Sequence, residues 1–135
     1  MPSKIPSAEP CPCGSGQPFA AYCALFLYGE IAAPTAEALM RSRYCAYSRR
    51  DEAYLLRTWY PATCPDSLDL ARDDGLRWIG LKILNCTAGR VNDKTGTVEF
   101  VARYKVGGKA GRLHENSRFV REDGRWHYVD GEIAE

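Results

Sequence analysis

The sequence predicts an α+β protein in which helices come first and an antiparallel sheet follows. Apolar residues recur with a helical period before Gly75, whereas apolar and polar residues alternate after it. The alternating part is divided by turn signals into four segments. Because strands that directly follow one another pair as an antiparallel meander, we expect the helices to cover one face of that sheet.

Length and composition are those of one compact domain with a short appendage. The chain has 135 residues, 45% of them hydrophobic and 26% charged, with a net charge of +1. This nearly neutral, mixed charge argues against a broad nucleic-acid or membrane surface. The N-terminus lacks the apolar core of a signal peptide, and no apolar run approaches the ~18 residues of a membrane span. We therefore expect a cytoplasmic protein, in which the cysteines stay reduced.

The chain divides into three parts by composition. Residues 1–10 contain three prolines and no periodicity, which predicts a flexible lead. Residues 11–33 form a cysteine-containing arm, and residues 34–135 form the main domain. Six cysteines in a reducing compartment indicate metal ligands, reactive thiols or small buried residues before they indicate disulfides.

The main domain is predicted to begin with helices. Thr35 is suited to cap the first of them, and the arginines of "SRR" suit its C-terminal end. Met40, Tyr44 and Tyr47 recur at helical spacing and form its apolar face. A second, short helix is predicted to start at Asp51 and to stop at Pro61, and a third helical piece to run over 66–75.

Four strands are then predicted in "LRWIGLKILNCTAG", "TGTVEFVARYKV", "GRLHENSRFVRE" and "GRWHYVDGEIA". Glu122-Asp123-Gly124 is a good hairpin connection between the last two, because Gly tolerates a positive φ. A curved sheet with helices over one face leaves a cone-shaped pocket between the two layers. This is the shape of the NTF2-like (cystatin-like) fold.

The arm contains "CPCGSGQPFAAYC", in which three cysteines lie in a turn-rich segment. Cys11 and Cys13 flank one proline, and "GSG" lets the chain double back so that Cys23 can return to them. Thiolates that converge in this way bind zinc, but structural zinc sites usually have four ligands. The segment therefore predicts a metal site and leaves its fourth ligand open.

This stretch resembles the SEC-C motif, a small zinc-binding module that is also found at the C-terminus of the SecA translocation ATPase. The motif has Cys-x-Cys-Gly-Ser-Gly and, after a spacer, Cys-Cys or Cys-His. Cys11, Cys13 and Cys23 match three of its ligand positions, whereas Tyr22 stands at the fourth. A phenol with a pKa near 10 is a poor zinc ligand at neutral pH.

Three interpretations of the arm stay open at this point. Zinc could bind through the three thiolates and water, or through a donor from elsewhere in the chain. The conceivable donors are Cys45, Cys64 and His114. Alternatively the site is degenerate and the arm is held by packing of Phe19, Tyr22 and Leu25, or its thiols are redox-active. Cys45 and Cys86 also fit the pattern of small packed residues.

Further stretches resemble the YchJ-like family of small bacterial proteins. They are "APTAEALMRSRYCAY", "YLLRTWYP", "FVARY", "ENSRF" and "GRWHYVDG", and with the arm the resemblance covers residues 11–131. It implies a SEC-C arm joined to an NTF2-like domain and points to no particular reaction. Because the motif mediates contacts in SecA, the resemblance favours a protein partner bound through the arm.

A candidate pocket comes from the alternation in "GRLHENSRFVRE". Leu113 and Phe119 should face the helices, which places Glu115 and Ser117 on the same, pocket side. A carboxylate in an apolar pocket can act as a general acid or base. Pairing of Glu115 with Arg41, Arg43 or Arg103 is the structural alternative. The predicted pocket residues are Arg41, Tyr44, Tyr104, Glu115 and Ser117.

Other chemistries lack support in the sequence. His114 and His127 are predicted on the outer sheet face, which disfavours a serine or cysteine triad. There is no phosphate loop or dinucleotide fingerprint, so no nucleotide cofactor is expected. We predict a non-catalytic, zinc-binding interaction or adaptor protein; the alternative is an NTF2-like small-molecule binder or enzyme that uses Glu115. Pairing of two copies through the sheet stays open.

Overall fold

A computed structural model describes residues 11–14, 16–17, 19, 22–29, 31–68 and 75–133. In this part of the chain, three helices precede four strands. The helices are α1 (Cys23–Leu27), α2 (Ala36–Arg49) and α3 (Glu52–Arg57). The strands are β1 (Leu76–Ala88), β2 (Thr95–Val106), β3 (Lys109–Glu122) and β4 (Arg125–Ile133). The predicted α+β order is confirmed; the predicted lead, residues 1–10, lies outside the described residues.

Helix α2 is the central helix, and it begins where the sequence predicts. The hydroxyl oxygen of Thr35 accepts a hydrogen bond from the backbone amide of Ala38 at 3.0 Å, which satisfies one of the free N–H groups of the first turn. The helix ends at Arg50, which adopts a left-handed conformation with φ of 60°. Nine of its residues are buried, so α2 packs on both the sheet and the arm.

Helix α3 is shorter than predicted. Its N-cap, Asp51, accepts a hydrogen bond from the amide of Tyr54 at 3.1 Å, as expected. It ends at Arg57, before Pro61, because the following residues pair with the edge of the sheet. The Tyr128 amide donates to the Thr58 carbonyl at 2.8 Å. The predicted third helical piece is not helical over 66–68, and its residues 69–74 lie outside the described part.

The four strands form one antiparallel sheet in the order β1-β2-β3-β4. Tight turns at Gly107-Gly108 and Asp123-Gly124 join the last three strands, and all four turn residues have positive φ. The pairing of β1 with β2 shifts register between Trp78 and Gly80 and again further along. Such irregularities bend a strand, which suits a sheet that curves around a helix.

The core lies between α2 and one face of the sheet. The sheet contributes Val98, Phe100, Ala102, Phe119 and Trp126, all buried. The indole of Trp126 donates to the carbonyl of Pro34 at 3.1 Å and so ties β4 to the start of α2. The three arm cysteines are part of the same buried cluster, so the arm packs directly on the main domain. No described helix has the length and hydropathy needed to cross a membrane.

Candidate metal centre

Four cysteine thiols meet where the arm packs on α2. They belong to Cys11, Cys13, Cys23 and Cys45, and all their sulfur atoms lie within 4.8 Å of one another. The Sγ atoms of Cys11 and Cys45 are 3.4 Å apart. All four residues are buried. Cys45 is therefore the fourth thiol beside the three ligands that the motif predicts. It is one of the three conceivable donors that the sequence left open.

The first two thiols are presented by a tight turn. The Gly14 amide donates to the Cys11 carbonyl at 3.2 Å, and the Cys11 amide donates to the Gln17 carbonyl at 2.8 Å. Gly14 has φ of +77°, and a Cβ atom there would approach the carbonyl oxygen of Leu81 to 2.8 Å. The glycine of the motif thus lets the turn lie directly against β1.

The other two thiols are presented by helices. Cys23 is the first residue of α1, and Cys45 lies in the C-terminal half of α2. Cys64 and His114, the other conceivable donors, lie in different surroundings. The Cys64 thiol donates to the Pro65 carbonyl at 3.3 Å, and the Nε2 atom of His114 lies 2.7 Å from a carboxylate oxygen of Glu99.

The geometry fits a tetrahedral metal ion. Zinc–thiolate bonds of about 2.3 Å place neighbouring sulfur atoms about 3.8 Å apart. The observed limit of 4.8 Å exceeds this by about 1 Å at most, so small side-chain movements suffice to close the shell. Four thiolates leave no open coordination position, which is the arrangement of structural rather than catalytic zinc sites.

The thiols perturb one another strongly. Hydrogen bonding to Cys11 and Cys13, together with burial, raises the pKa of Cys23 well above its ordinary value. The same two neighbours and burial raise the pKa of Cys45. For Cys11, the hydrogen bond with Cys13 raises the pKa, but those with Cys23 and Cys45 outweigh it, so the net shift is downward. A metal ion that binds here must displace protons from most of these thiols.

Arg41 supports the cluster from α2. One of its Nη atoms donates to the carbonyl oxygen of Cys13 at 2.6 Å, and its Nε donates to Glu37 at 2.9 Å. Burial lowers the pKa of Arg41, but the hydrogen bond and charge of Glu37 outweigh burial and raise it. Four thiolates around a divalent ion carry a net charge of about −2, which this guanidinium partly offsets. Arg41, one of the predicted pocket residues, thus contacts the arm.

Tyr22, which stands at a ligand position of the motif, has a packing role. Burial raises its pKa to about 12, so the phenol stays protonated at neutral pH. Its ring packs edge-on against Phe26, with the ring centroids 5.5 Å apart. Cys45 supplies the fourth thiol from a distant part of the sequence. No spacing in the chain marks Cys45 for this role, because docking of the arm on α2 brings it to the cluster.

Comparison with known proteins supports the fold of the main domain and the motif in the arm. Residues 35–131 match the family model "YchJ, middle NTF2-like domain", and residues 8–21 match the SEC-C motif. The chain belongs to the YchJ-like family. It is similar to the UPF0225 protein of Chromobacterium violaceum, with 55% identity over 99% of this chain and all of the relative. It is also similar to a UPF0225 protein of Streptomyces coelicolor, with 53% identity over 93% of this chain and 97% of the relative.

Two solved structures share the fold of this YchJ-like chain. One is the solution structure of a SEC-C motif containing protein from Rhodopseudomonas palustris, with a TM-score of 0.82 and 33% identity. The superposition covers 94% of this chain and all of the other. The second is the crystal structure of a SEC-C motif containing protein from Psychrobacter arcticus, with a TM-score of 0.76 and 26% identity. It covers 96% of this chain and 85% of that one.

In this YchJ-like chain, the predicted pocket residues Glu115 and Ser117 lie together on the helix-facing side of β3. Ser117 is buried, and its hydroxyl donates to the Glu115 carboxylate at 3.1 Å. The Tyr128 hydroxyl donates to the same carboxylate oxygen at 3.3 Å. Burial and the charge of Glu115 raise the pKa of Tyr128, which keeps this phenol a hydrogen-bond donor.

Glu115 does not form the predicted ion pair with a described arginine, and Arg43 has other partners. Arg43 is buried, donates to the Leu55 carbonyl at 2.8 Å and lies 4.6 Å from the ring centroid of Tyr128. Within the described ranges, no arginine lies at ion-pair distance from Glu115. Arg43 and Glu115 therefore contact the same tyrosine, one at its ring and the other at its hydroxyl.

Tyr44 and Tyr104 lie apart from Glu115, on either side of Trp78. The ring centroid of Trp78 is 6.1 Å from that of Tyr44 and 5.7 Å from that of Tyr104. The five predicted pocket residues thus belong to three sets of contacts: Arg41 at the arm, the two tyrosines at Trp78, and Glu115 with Ser117 at Tyr128. None of them lines the cavity of about 430 Å³ that the structure contains at the other end of the sheet.

His127 is also among the residues that line that cavity, and its Nδ1 atom is buried. It lies on the edge strand β4, along which α3 and the residues after it pack. The outward direction that alternation predicts for its side chain stays a prediction. His114 lies half-buried beside Glu99.

Proposed function

We propose that this YchJ-like protein is a non-catalytic interaction protein whose arm is fastened to the main domain by a structural zinc ion. The observation that carries the proposal is the convergence of four buried thiols from the arm and α2. A closed set of four soft thiolate ligands suits zinc and leaves no position for a substrate or a catalytic water.

The arm has little secondary structure of its own. Helix α1 has five residues, which is far too short to be stable by itself in water. Structural zinc contributes about 10–16 kcal/mol to the folding of zinc-finger peptides, enough to order a segment of this size. Because three ligands come from the arm and Cys45 from α2, the ion would act as a clamp between the two.

The interaction part of the proposal rests on the outer surface of the arm. Leu25 is 39% exposed, Tyr28 63% and Ile31 54%. Nearby, the guanidinium of Arg49 lies 4.2 Å from the ring centroid of Phe19. These apolar side chains, with aromatic and arginine neighbours, resemble the composition of protein interfaces. A rigid, zinc-clamped arm would present them in a fixed arrangement to a protein partner.

Metal content tests the zinc clamp directly. We expect native mass spectrometry and elemental analysis to find one zinc ion per chain in protein purified without a chelator. The Cys45→Ser variant should lose it while its sheet stays folded. Cys64→Ser is the matched control, because Cys64 lies outside the cluster, and it should keep the zinc. A folded wild-type protein without metal, or full zinc content in Cys45→Ser, would contradict the clamp.

A surface variant tests the interaction role separately. A partner first identified by cross-linking in cells is purified, and its affinity is measured for wild type and for a Leu25→Ser, Tyr28→Ser double variant. The double variant should keep its zinc and melting temperature but bind the partner at least about tenfold more weakly. Ile79→Ser, an exposed apolar residue on the sheet, is the control and should bind normally. Equal binding by all three proteins would exclude the arm as the interface.

The alternative function, a small-molecule binder or enzyme that uses Glu115, stays a prediction. The half-buried carboxylate of Glu115 has two hydroxyl partners, and this favours a role in positioning Ser117 and Tyr128. In the adaptor interpretation, Glu115→Gln leaves partner binding intact. If Glu115→Gln abolishes the binding of a ligand or an enzymatic activity, both in the full chain and in protein without the arm, the alternative is favoured.

A further inference from the structure

The cavity at the far end of the sheet is a candidate site of a different kind. Its volume is about 430 Å³, within the range of about 300–1,000 Å³ that is typical of small-molecule sites. It lies between α1, the segment after α1, α3 and β4. The residues that line it are Phe26, Leu27, Tyr28, Gly29, Ile31, Ala32, Ala33, Leu39, Tyr54, Arg57, Thr58, Arg125, Trp126 and His127.

The walls of the cavity are partly apolar. Phe26, Leu39 and Trp126 are buried core residues that expose little but contribute to its lining. The Trp126 indole N–H is already used by the Pro34 carbonyl, so that ring offers the cavity mainly its apolar surface. The Tyr54 hydroxyl is likewise bonded to Ser42 at 2.7 Å. A ligand would therefore meet polar and apolar surface in about equal parts, with the apolar part supplied by rings and hydrocarbon side chains.

The charged groups of the described lining are basic. Arg57 and Arg125 both line the cavity, and no acidic residue is found among the described lining residues. Arg57 lies 4.7 Å from the Tyr54 ring centroid, and one of its Nη atoms makes long contacts, of 3.4 and 3.5 Å, with carbonyl oxygens of α1. Carbonyl groups and a ring hold the guanidinium in place without cancelling its charge.

His127 adds an unusual feature to the same lining. Its Nδ1 atom is buried and has no hydrogen-bond partner among the residues that the structure describes. A buried polar atom without a partner is costly, and such atoms are uncommon in folded proteins. Because this atom has almost no exposed surface, it offers the cavity no contact, and the charged contacts of the lining come from the two arginines.

We propose that this cavity binds a small organic anion. The apolar body of the ligand lies against Phe26, Leu39 and Trp126, and its anionic group lies at Arg57 and Arg125. Guanidinium groups recognise carboxylate and phosphate groups through paired hydrogen bonds, so both head groups share this chemistry. The site differs from the metal cluster in location and ligand, and it differs from the predicted pocket at Glu115.

The arm forms one wall of this cavity. Phe26 and Leu27 lie on α1, the helix that begins with the metal ligand Cys23. Loss of the metal would therefore disturb the cavity as well. For this reason the binding experiment uses full-length protein whose metal content has been measured, so that an empty cluster and an unsuitable cavity are told apart.

Amide proton–nitrogen NMR spectra provide a direct test with defined probes. The probes are phenylbutyrate, phenylbutanol, phenylbutyl phosphate and acetate. The three tryptophan side chains give separate indole signals, and only Trp126 lines the cavity, so Trp59 and Trp78 are internal controls. We expect phenylbutyrate or phenylbutyl phosphate to shift the Trp126 signal, and the neutral alcohol and acetate to bind at least about tenfold more weakly.

The relative affinities decide between head groups and test the proposal. Tighter binding of the phosphate would identify a phosphate ligand, and tighter binding of the acid a carboxylate. Arg125→Gln should weaken the better anion about tenfold. Arg112→Gln, an exposed arginine outside the lining, should leave the affinity unchanged. Equal affinity for acid and alcohol, no shift of Trp126 with any probe, or an unaffected Arg125→Gln variant would overturn the proposal.

Discussion

Different interactions stabilise the arm and the sheet of this protein. The sheet has three continuous antiparallel strand pairs and a buried apolar face, so its hydrogen bonds and core are supplied by the chain alone. The arm has a five-residue helix, turns and three of the four clustered thiols. From this difference we expect the sheet to fold on its own and the order of the arm to depend on the proposed zinc ion. Helix α2 is common to both regions.

Removal of the metal should separate the two regions most clearly. A strong chelator takes away an interaction of about 10–16 kcal/mol in comparable sites. Hydrogen exchange should then lose protection at the amides of α1, while the central strands β2 and β3 keep theirs. Hydrogen-exchange mass spectrometry with and without chelator measures both regions in one sample. Simultaneous loss of protection in β2 and β3 would show that the sheet depends on the metal as well.

Acid should release the metal steeply. The pKa values of Cys23 and Cys45 lie above the ordinary value of 9.0 without metal, so both thiols are protonated at neutral pH. The pKa of Cys11 is shifted down, so its proton is displaced more easily. Binding should therefore release about three to four protons, and the apparent Kd should rise about a thousandfold or more for each unit by which the pH falls.

Calorimetry in buffers of different ionisation enthalpy counts these protons. The wild-type protein should release about three to four protons as zinc binds, whereas Cys45→Ser, which loses the zinc site, should show no comparable release. An affinity that does not change between about pH 6 and pH 8 would mean that the thiols are not the ligands. Cys64→Ser should behave like the wild type in the same titration.

The opposite perturbation removes part of the sheet core. Phe119 is buried, and its ring packs against Tyr128 with centroids 5.8 Å apart. Phe119→Ala should lower the free energy of unfolding by about 3–5 kcal/mol, because it leaves a cavity in the core. Urea unfolding measures this loss. Below the transition, zinc content should stay at the wild-type level, and loss of zinc from the folded variant would contradict the separation of arm and sheet.

The sequence predicts the sheet better than the metal site because the signals for the sheet are local. Alternation and turn residues, such as Asp123-Gly124, are written within a few positions of the strands they define. The cap at Thr35 is equally local. Cys45 joins the cluster only because α2 and the arm dock against each other. Sequence reasoning can name such a donor among others, but a contact between distant segments has no spacing rule that selects it.

The predicted pocket shows the same limit in another way. Alternation places Glu115 and Ser117 together on the helix-facing side, and the structure has them there. Whether that side is open depends on the rings that fill it, and Trp78 packs between Tyr44 and Tyr104. The cavity of about 430 Å³ lies beside β4, where the short α3 and the arm meet the sheet edge. Local patterns in a sequence do not predict where the packing of distant segments leaves a cavity.

Variants of Arg41 test whether this residue supports zinc binding through its charge or by positioning the turn that carries two ligands. It lies on α2, donates to the Cys13 carbonyl and so holds the turn that carries two ligands. Arg41→Met removes both its charge and its hydrogen bonds, and should weaken zinc binding about 10–100-fold, as loss of a supporting group does in other metal sites. Competition with a chromogenic chelator measures the change. Arg112→Met is the control for loss of an arginine outside the cluster.

Arg41→Lys separates the two explanations, because lysine keeps the charge but not the planar fork that reaches Cys13 and Glu37 together. If the guanidinium acts by offsetting the charge of the thiolates, Arg41→Lys should bind zinc nearly as well as wild type. If it acts by positioning the turn, Arg41→Lys should resemble Arg41→Met. The hydrogen bond of 2.6 Å to a backbone carbonyl of the ligand turn favours positioning. We therefore expect the lysine variant to lose most of the affinity that the methionine variant loses.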